Sequence, residues 1–174
     1  MQKTLTMRRL AWIGLALSAA ACANLPEPSP IHPTPVVTTP PPPRLASVYG
    51  HGAYHARSGA HGACAGQSVA LMRDTPKFRA RIAAIYESTE HALQPVRAIQ
   101  ARTAKLGSGE ESPLAASVQC DANSTFEFHG LAPGSYFIIA RVKQALPGHP
   151  PVDYVDMQHV IVGPGQTVDV RLAP

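Results

Sequence analysis

The stretch Cys120–Val142, CDANSTFEFHGLAPGSYFIIARV, decides the fold. Asp and Asn side chains hydrogen-bond locally and tolerate left-handed backbone, so DANS (121–124) reads as a turn. TFEFHGL then sets Phe126 and Phe128 on one face, with Thr125, Glu127 and His129 on the other. APGS (132–135) is a second turn, where Pro133 fixes the backbone and Gly134 frees it. The run SYFIIARVKQ carries Tyr136, Ile138, Ala140 and Val142 inward. Phe137 and Ile139 are apolar too, so the centre of this strand is expected to be covered on both faces.

Moving outward, the same alternation returns. SVALMRDT puts Val69 and Leu71 on one face, YVDMQHVIV (154–162) reads as a strand, and GPGQ turns into TVDVRL, with Val168, Val170 and Leu172 inward. Between residues 76 and 92 the period changes. Phe78, Ile82, Ile85 and Tyr86 recur at helical spacing, and Pro95 stops the run. Residues 93–113 carry no decided pattern; a short strand at 96–102 before a Gly/Ser/Glu loop is one reading. Short strands separated by Gly, Pro and Asn turns make an antiparallel sandwich or barrel.

The motif is more specific than the pattern. A turn, a Phe-x-Phe strand, Leu-x-Pro-Gly and a tyrosine opening the next strand resemble the signature of carboxypeptidase regulatory-like domains. CAGQSVALMRDTPKFRARI (64–82) is similar to the opening strand of bacterial envelope members, and VIVGPGQTVDVRL (160–172) to their closing turn and strand. The resemblance spans 63–172 and is weakest over 77–112. It implies a mainly β, immunoglobulin-like or transthyretin-like antiparallel sandwich over 63–174, with one short helical insertion. Phe126, Phe128, Leu131, Pro133, Gly134 and Tyr136 carry the signature. Leu131 is expected to plug the end of the core. Tyr136 is expected to bury its ring and give its hydroxyl to the backbone. Peptidase activity is not implied, because in those enzymes the zinc ligands lie in a separate catalytic domain.

The front of the chain reads as an address. Lys3, Arg8 and Arg9 precede the apolar LAWIGLAL (10–17), and small residues lead to Cys22. This is a signal peptide over 1–21, too short in its apolar part to stay as a membrane span. AAAC (19–22) resembles the lipobox of bacterial lipoproteins, with Ala19 where leucine is usual. That resemblance implies acylation of Cys22. The absence of aspartate directly after it implies an outer-membrane anchor facing the periplasm. Residues 22–47 form the anchor and linker. Half of PEPSPIHPTPVVTTPPPP (26–43) is proline, which makes an extended spacer. With Cys22 assigned to lipid, Cys64 and Cys120 remain as a pair in an oxidising compartment and read as a disulfide.

Loss of the signal takes the 15 basic residues to 12 against 11 acidic ones, so the whole-chain charge of +4 is largely a targeting feature. A nucleic-acid partner would want a dense basic stripe with stacking aromatics, and none is present. The Gly/Ala-rich segment 48–62 reads as a loose arm. Its His51, His55 and His61 are the local concentration of metal-ligand types, though without a zinc motif. His129 and His159 fall at solvent-facing strand positions. No serine sits in a nucleophile elbow, no carboxylate pair has catalytic spacing, and no cofactor motif occurs. The expectation is a non-enzymatic binding or structural module without cofactor. Its membrane contact is the lipid anchor, and its partner is an envelope protein, as an accessory of a complex, or a small ligand. The alternative is a small-ligand or metal-binding lipoprotein that uses the histidine arm.

Overall fold

The computed structural model describes residues 42, 44–107 and 113–172. Cys22, the signal segment and nearly all of the proline-rich linker lie outside the described residues, as do Glu110 and Glu111. The elements run β1 (Ala46–His51), β2 (Tyr54–His55), β3 (His61–Ala63), β4 (Ser68–Arg73), α1 (Pro76–Tyr86), β5 (His91–Pro95), α2 (Val96–Leu106), β6 (Leu114–Gln119), β7 (Thr125–Leu131), β8 (Gly134–Ala145), β9 (Val152–Val162) and β10 (Thr167–Arg171).

Two sheets face each other. The smaller has the order β10-β1-β7, with β1 parallel to β10 and antiparallel to β7. The larger is built around β8. One side of β8 pairs with β9 along almost its whole length. The other side pairs with β4 near its start and β3 near its end. Beyond these lie β6, β2 and β5. The core between the sheets takes Val48, Phe126, Phe128, Val170 and Leu172 from the small sheet, and Val69, Leu71, Ile138, Ala140 and Val142 from the large one. Each set follows the period of two that the sequence displays.

The hairpin behaves as its motif implies. Phe126, Phe128 and Leu131 are buried, and the two phenylalanine rings meet edge to face at 5.8 Å between centroids. Tyr136 is 2% exposed, and its hydroxyl donates to the Ala132 carbonyl at 2.7 Å. The DANS turn is held by Asp121, which accepts from Asn123 N at 2.9 Å and from Thr125 N at 2.7 Å. Those bonds, the Thr125 backbone bond first, hold the Asp121 carboxyl below its ordinary pKa. Ser124 takes the left-handed conformation.

The second face of β8 is covered by helices, as its continuous apolar centre requires. Phe137 and Met157 are fully buried beneath Ile82, Ile85 and Tyr86 of α1. Pro76 opens α1, and Thr75 caps it by accepting from Phe78 N at 3.2 Å. The helix stops at Tyr86, earlier than the apolar spacing predicts, because Glu87 turns left-handed. The Ser88 hydroxyl then accepts from Glu90 N and His91 N and starts β5. The insertion therefore holds two helices rather than one. The undecided segment, for which a short strand at 96–102 is one reading of the sequence, forms the helix α2, with Pro95 at its cap position. Its alanines, arginines and glutamine favour helix, but it buries no residue fully, so no strong apolar period announces it.

The expected loose arm is also overturned. Residues 48–62 hold most of β1, all of β2 and the start of β3, and β1 is the middle strand of its sheet. The glycines are sites of close approach, not of looseness. A Cβ on Gly50 would lie 2.0 Å from the Phe126 ring, and one on Gly62 would lie 2.2 Å from the Tyr54 ring. Both rings are buried, so neither can swing clear. Gly50→Ala is expected to cost about 1–3 kcal/mol through overpacking. Urea unfolding would read this loss, and the companion change Phe126→Leu should return part of it.

Candidate functional site

The helix-facing surface of the large sheet is only partly roofed. On that face β4 presents Ser68, Ala70 and Met72, and β8 presents Arg141, Ile139 and Phe137, with Ala70 paired to Ile139 and Arg141 to Val155. Helix α1 covers the end bearing Phe137 and Met157. What remains is a cleft of about 450 Å³, lined by Gly66, Gln67, Ser68, Ala70, Tyr86, Ile139, Arg141 and Val155. That is a usual size for a small-ligand site. Ala70, Ile139 and Val155 make an apolar floor.

The polar groups around this floor are idle. The Gln67 amide, the Ser68 hydroxyl, the Tyr86 hydroxyl and the Arg141 guanidinium make no hydrogen bond or ion pair with any described residue. Burial, reinforced by the charge of Asp156, pushes the Tyr86 phenol up to about 12, so it stays a proton donor across the physiological range. The turn that positions Gln67 is rigid. Gln67 N donates to Cys64 O at 2.7 Å, and its carbonyl accepts from Cys120 N at 2.9 Å. The Cys64–Cys120 disulfide fastens the same turn. A larger groove of about 540 Å³ lies beside the β8–β9 connection, but three of its seven lining residues are Pro95, Pro150 and Pro151, which offer no side-chain hydrogen bond.

A polar cluster stands at the other end of α1. Asp74 accepts from Arg79 Nη2 and Nε and, at 2.9 Å, from Ser135 Oγ. His159 Nε2 lies 2.6 Å from Ser135 Oγ, 2.9 Å from Arg79 Nη2 and 3.1 Å from Asp74 Oδ2. Burial works to raise the Asp74 pKa, but the Arg79 and Ser135 hydrogen bonds, the Arg79 charge and His159 outweigh it and leave the carboxyl low. A nucleophilic relay needs serine and carboxylate on opposite ring nitrogens. Here Asp74 shares Nε2 with Ser135, and the one carboxylate on the Nδ1 side, the exposed Glu90 at 3.5 Å, makes no hydrogen bond to the ring. The arrangement is a fastener that ties the start of α1 to β8 and β9. His159 is thus nearly buried rather than solvent-facing, because its strand face is the one α1 covers.

The sequence-predicted residues fall in separate places. Cys64 and Cys120 are bonded. His55 and His61 are cross-strand partners with rings 6.1 Å apart, whereas His51 lies on the small sheet and approaches Asp169 at 3.9 Å. No group of three or more His, Cys, Asp or Glu suited to a metal occurs among the described residues. His129 is exposed, as its strand position predicts, and pairs with Glu127 at 3.1 Å.

Gln67, Ser68, Tyr86 and Arg141 were not legible as a set, because three elements contribute them. Asp156 was missed as well. It is fully buried between the sheets, with neither carboxyl oxygen hydrogen-bonded. His91 Nε2 stands 3.6 Å from Oδ1, beyond normal hydrogen-bond reach. The buried Tyr54 hydroxyl is likewise without a partner among the described residues.

The fold has a solved counterpart. A protein from Pseudomonas aeruginosa, described as a "putative carbohydrate binding protein", matches with a TM-score of 0.50 and 17% identity over 76% of this chain and 90% of that one. The likeness is one of fold. It supports a mainly β sandwich with a short helical insertion. No family model and no curated protein matches the chain.

Proposed function

We propose that this chain is a lipid-anchored envelope protein whose sandwich is a non-enzymatic binding module, and that the ligand is a carbohydrate held in the cleft beside α1. The anchor and the outer-membrane address rest on the lipobox-like AAAC and the proline spacer. The resemblance to carboxypeptidase regulatory-like domains is in keeping with a module that binds rather than reacts. The carrying observation is the set of four unengaged polar side chains around an apolar floor. A sugar ring offers apolar C–H faces and a rim of hydroxyls, and this lining complements both. The fold's likeness to the Pseudomonas protein adds support for that ligand class.

A metal role for His51, His55 and His61 has no converging set behind it among the described residues. The small-ligand part of that reading moves from the arm to the cleft. The test is a glycan array probed with the full chain in detergent, followed by titration calorimetry of any hit. Tyr86→Phe removes a hydroxyl that no described protein group uses. It is expected to leave the melting temperature unchanged and to weaken binding by about 1 kcal/mol, one hydrogen bond's worth. Glycan binding untouched by Tyr86→Phe and by the cleft-filling Ser68→Trp would place the site elsewhere.

A further inference from the structure

We infer that the ligand of the cleft carries a carboxylate that meets Arg141, which makes it an acidic sugar such as a uronic acid and not a neutral one. This rests on the carbohydrate reading above and narrows it. Arg141 is the single charged residue in the lining, and no acidic side chain accompanies it. Other arginines near α1 are engaged. Arg79 pairs with Asp74, Arg102 with Glu87 at 2.8 Å, and Arg81 donates to the Gly107 carbonyl at 2.7 Å. Arg141 has no such partner among the described residues.

Its place on the sheet is fixed. Arg141 sits opposite Val155 on β9, which is buried, and two positions from Ile139 on its own strand. The guanidinium therefore stands at the exposed rim of an apolar floor. Neutral hydroxyls would be served by Gln67, Ser68 and Tyr86 alone. A planar fork of donors left unpaired beside them matches a carboxylate, which it engages through two parallel bonds. The uncompensated charge also draws anions toward the cleft.

The experiment compares trigalacturonate with its fully methyl-esterified form, which has the same rings without the charge. Calorimetric titration would use the full chain in detergent and its Arg141→Gln and Arg141→Lys variants. Arg141 is exposed, so these variants are expected to fold, and circular dichroism would check it. The acid is expected to bind roughly ten- to a hundredfold tighter than the ester. That gap should vanish in Arg141→Gln, survive in part in Arg141→Lys, and shrink with added salt. Equal binding of acid and ester would overturn the inference and leave the carbohydrate reading standing. A preference for the acid that persists in Arg141→Gln would overturn it too. Binding of neither sugar by the folded chain would sink both.

Discussion

Replacing Cys64 by serine is expected to cost about 4 kcal/mol of stability, and replacing Cys120 the same amount. The two cysteines are bonded across 56 residues of sequence. The loop they close contains β4, α1, β5, α2 and β6, which is the whole helical layer and three strands of the large sheet. Most of the helical layer's anchorage is one small cluster around Phe137 and Met157, and α2 buries nothing fully. The unfolded chain therefore gains much freedom when the bridge is cut. Such a loss is a large share of a typical domain stability of about 5–15 kcal/mol. Urea unfolding of each single variant and of the double variant would measure it. The double variant should lose no more than either single one, since each already removes the whole bridge. Losses that add would mean the thiols act separately.

The second large effect concerns Asp156 and depends on pH. Burial raises its pKa to about 6, even though the nearby His91 charge and the His91 and Gln158 side chains pull it down. The ordinary value is 3.8, so the folded state holds this proton more tightly than the unfolded one. Stability from this group is fully present below about pH 4 and falls as the pH rises toward 6. Above that the loss is constant. Two pKa units correspond to roughly 3 kcal/mol. Tyr54 and Tyr86 feel the Asp156 charge, but burial raises both phenols, so neither ionises in this window. His91 Nε2 is the cationic group facing the carboxyl, at 3.6 Å. Asp156→Asn cannot ionise. It should be more stable than the parent at pH 7.5, by up to about 3 kcal/mol, and by only about 1 kcal/mol at pH 4.5. Urea midpoints taken every half unit between those limits would show two curves that diverge as the pH rises. Parallel curves would mean that the carboxyl finds water or a partner in solution and ionises normally.

The difference between what was legible and what was not follows from the range of the interactions. Phe126, Phe128, Leu131 and Tyr136 announce themselves because a strand's period and a turn's chemistry are local, and the local pattern alone separates core from solvent. The double covering of β8 was legible for the same reason, from Phe137 and Ile139 beside Tyr136 and Ile138. Residues 48–62 misled because glycine has two uses. It loosens a chain that touches nothing, and it admits a ring where a Cβ would collide. Only the partner decides which, and Phe126 lies 76 residues beyond Gly50. His159 was misplaced because a strand's second face is solvent until a helix covers it, and that helix lies some 70 residues earlier in the chain.

The cleft belongs wholly to this second category. Gln67 and Ser68 come from a turn and the start of β4, Tyr86 from the last turn of α1, and Arg141 from β8. Each alone is an ordinary polar residue. The sequence by itself determined a β-sandwich, its signature hairpin and its disulfide, since alternation, turn residues and cysteine pairing are written in short stretches or in a count. The tertiary structure alone decided which glycines are packing sites, which acid is buried, and where four idle polar groups meet over an apolar floor. Those depend on register and on where a helix ends, and both are set by contacts between residues far apart in the chain.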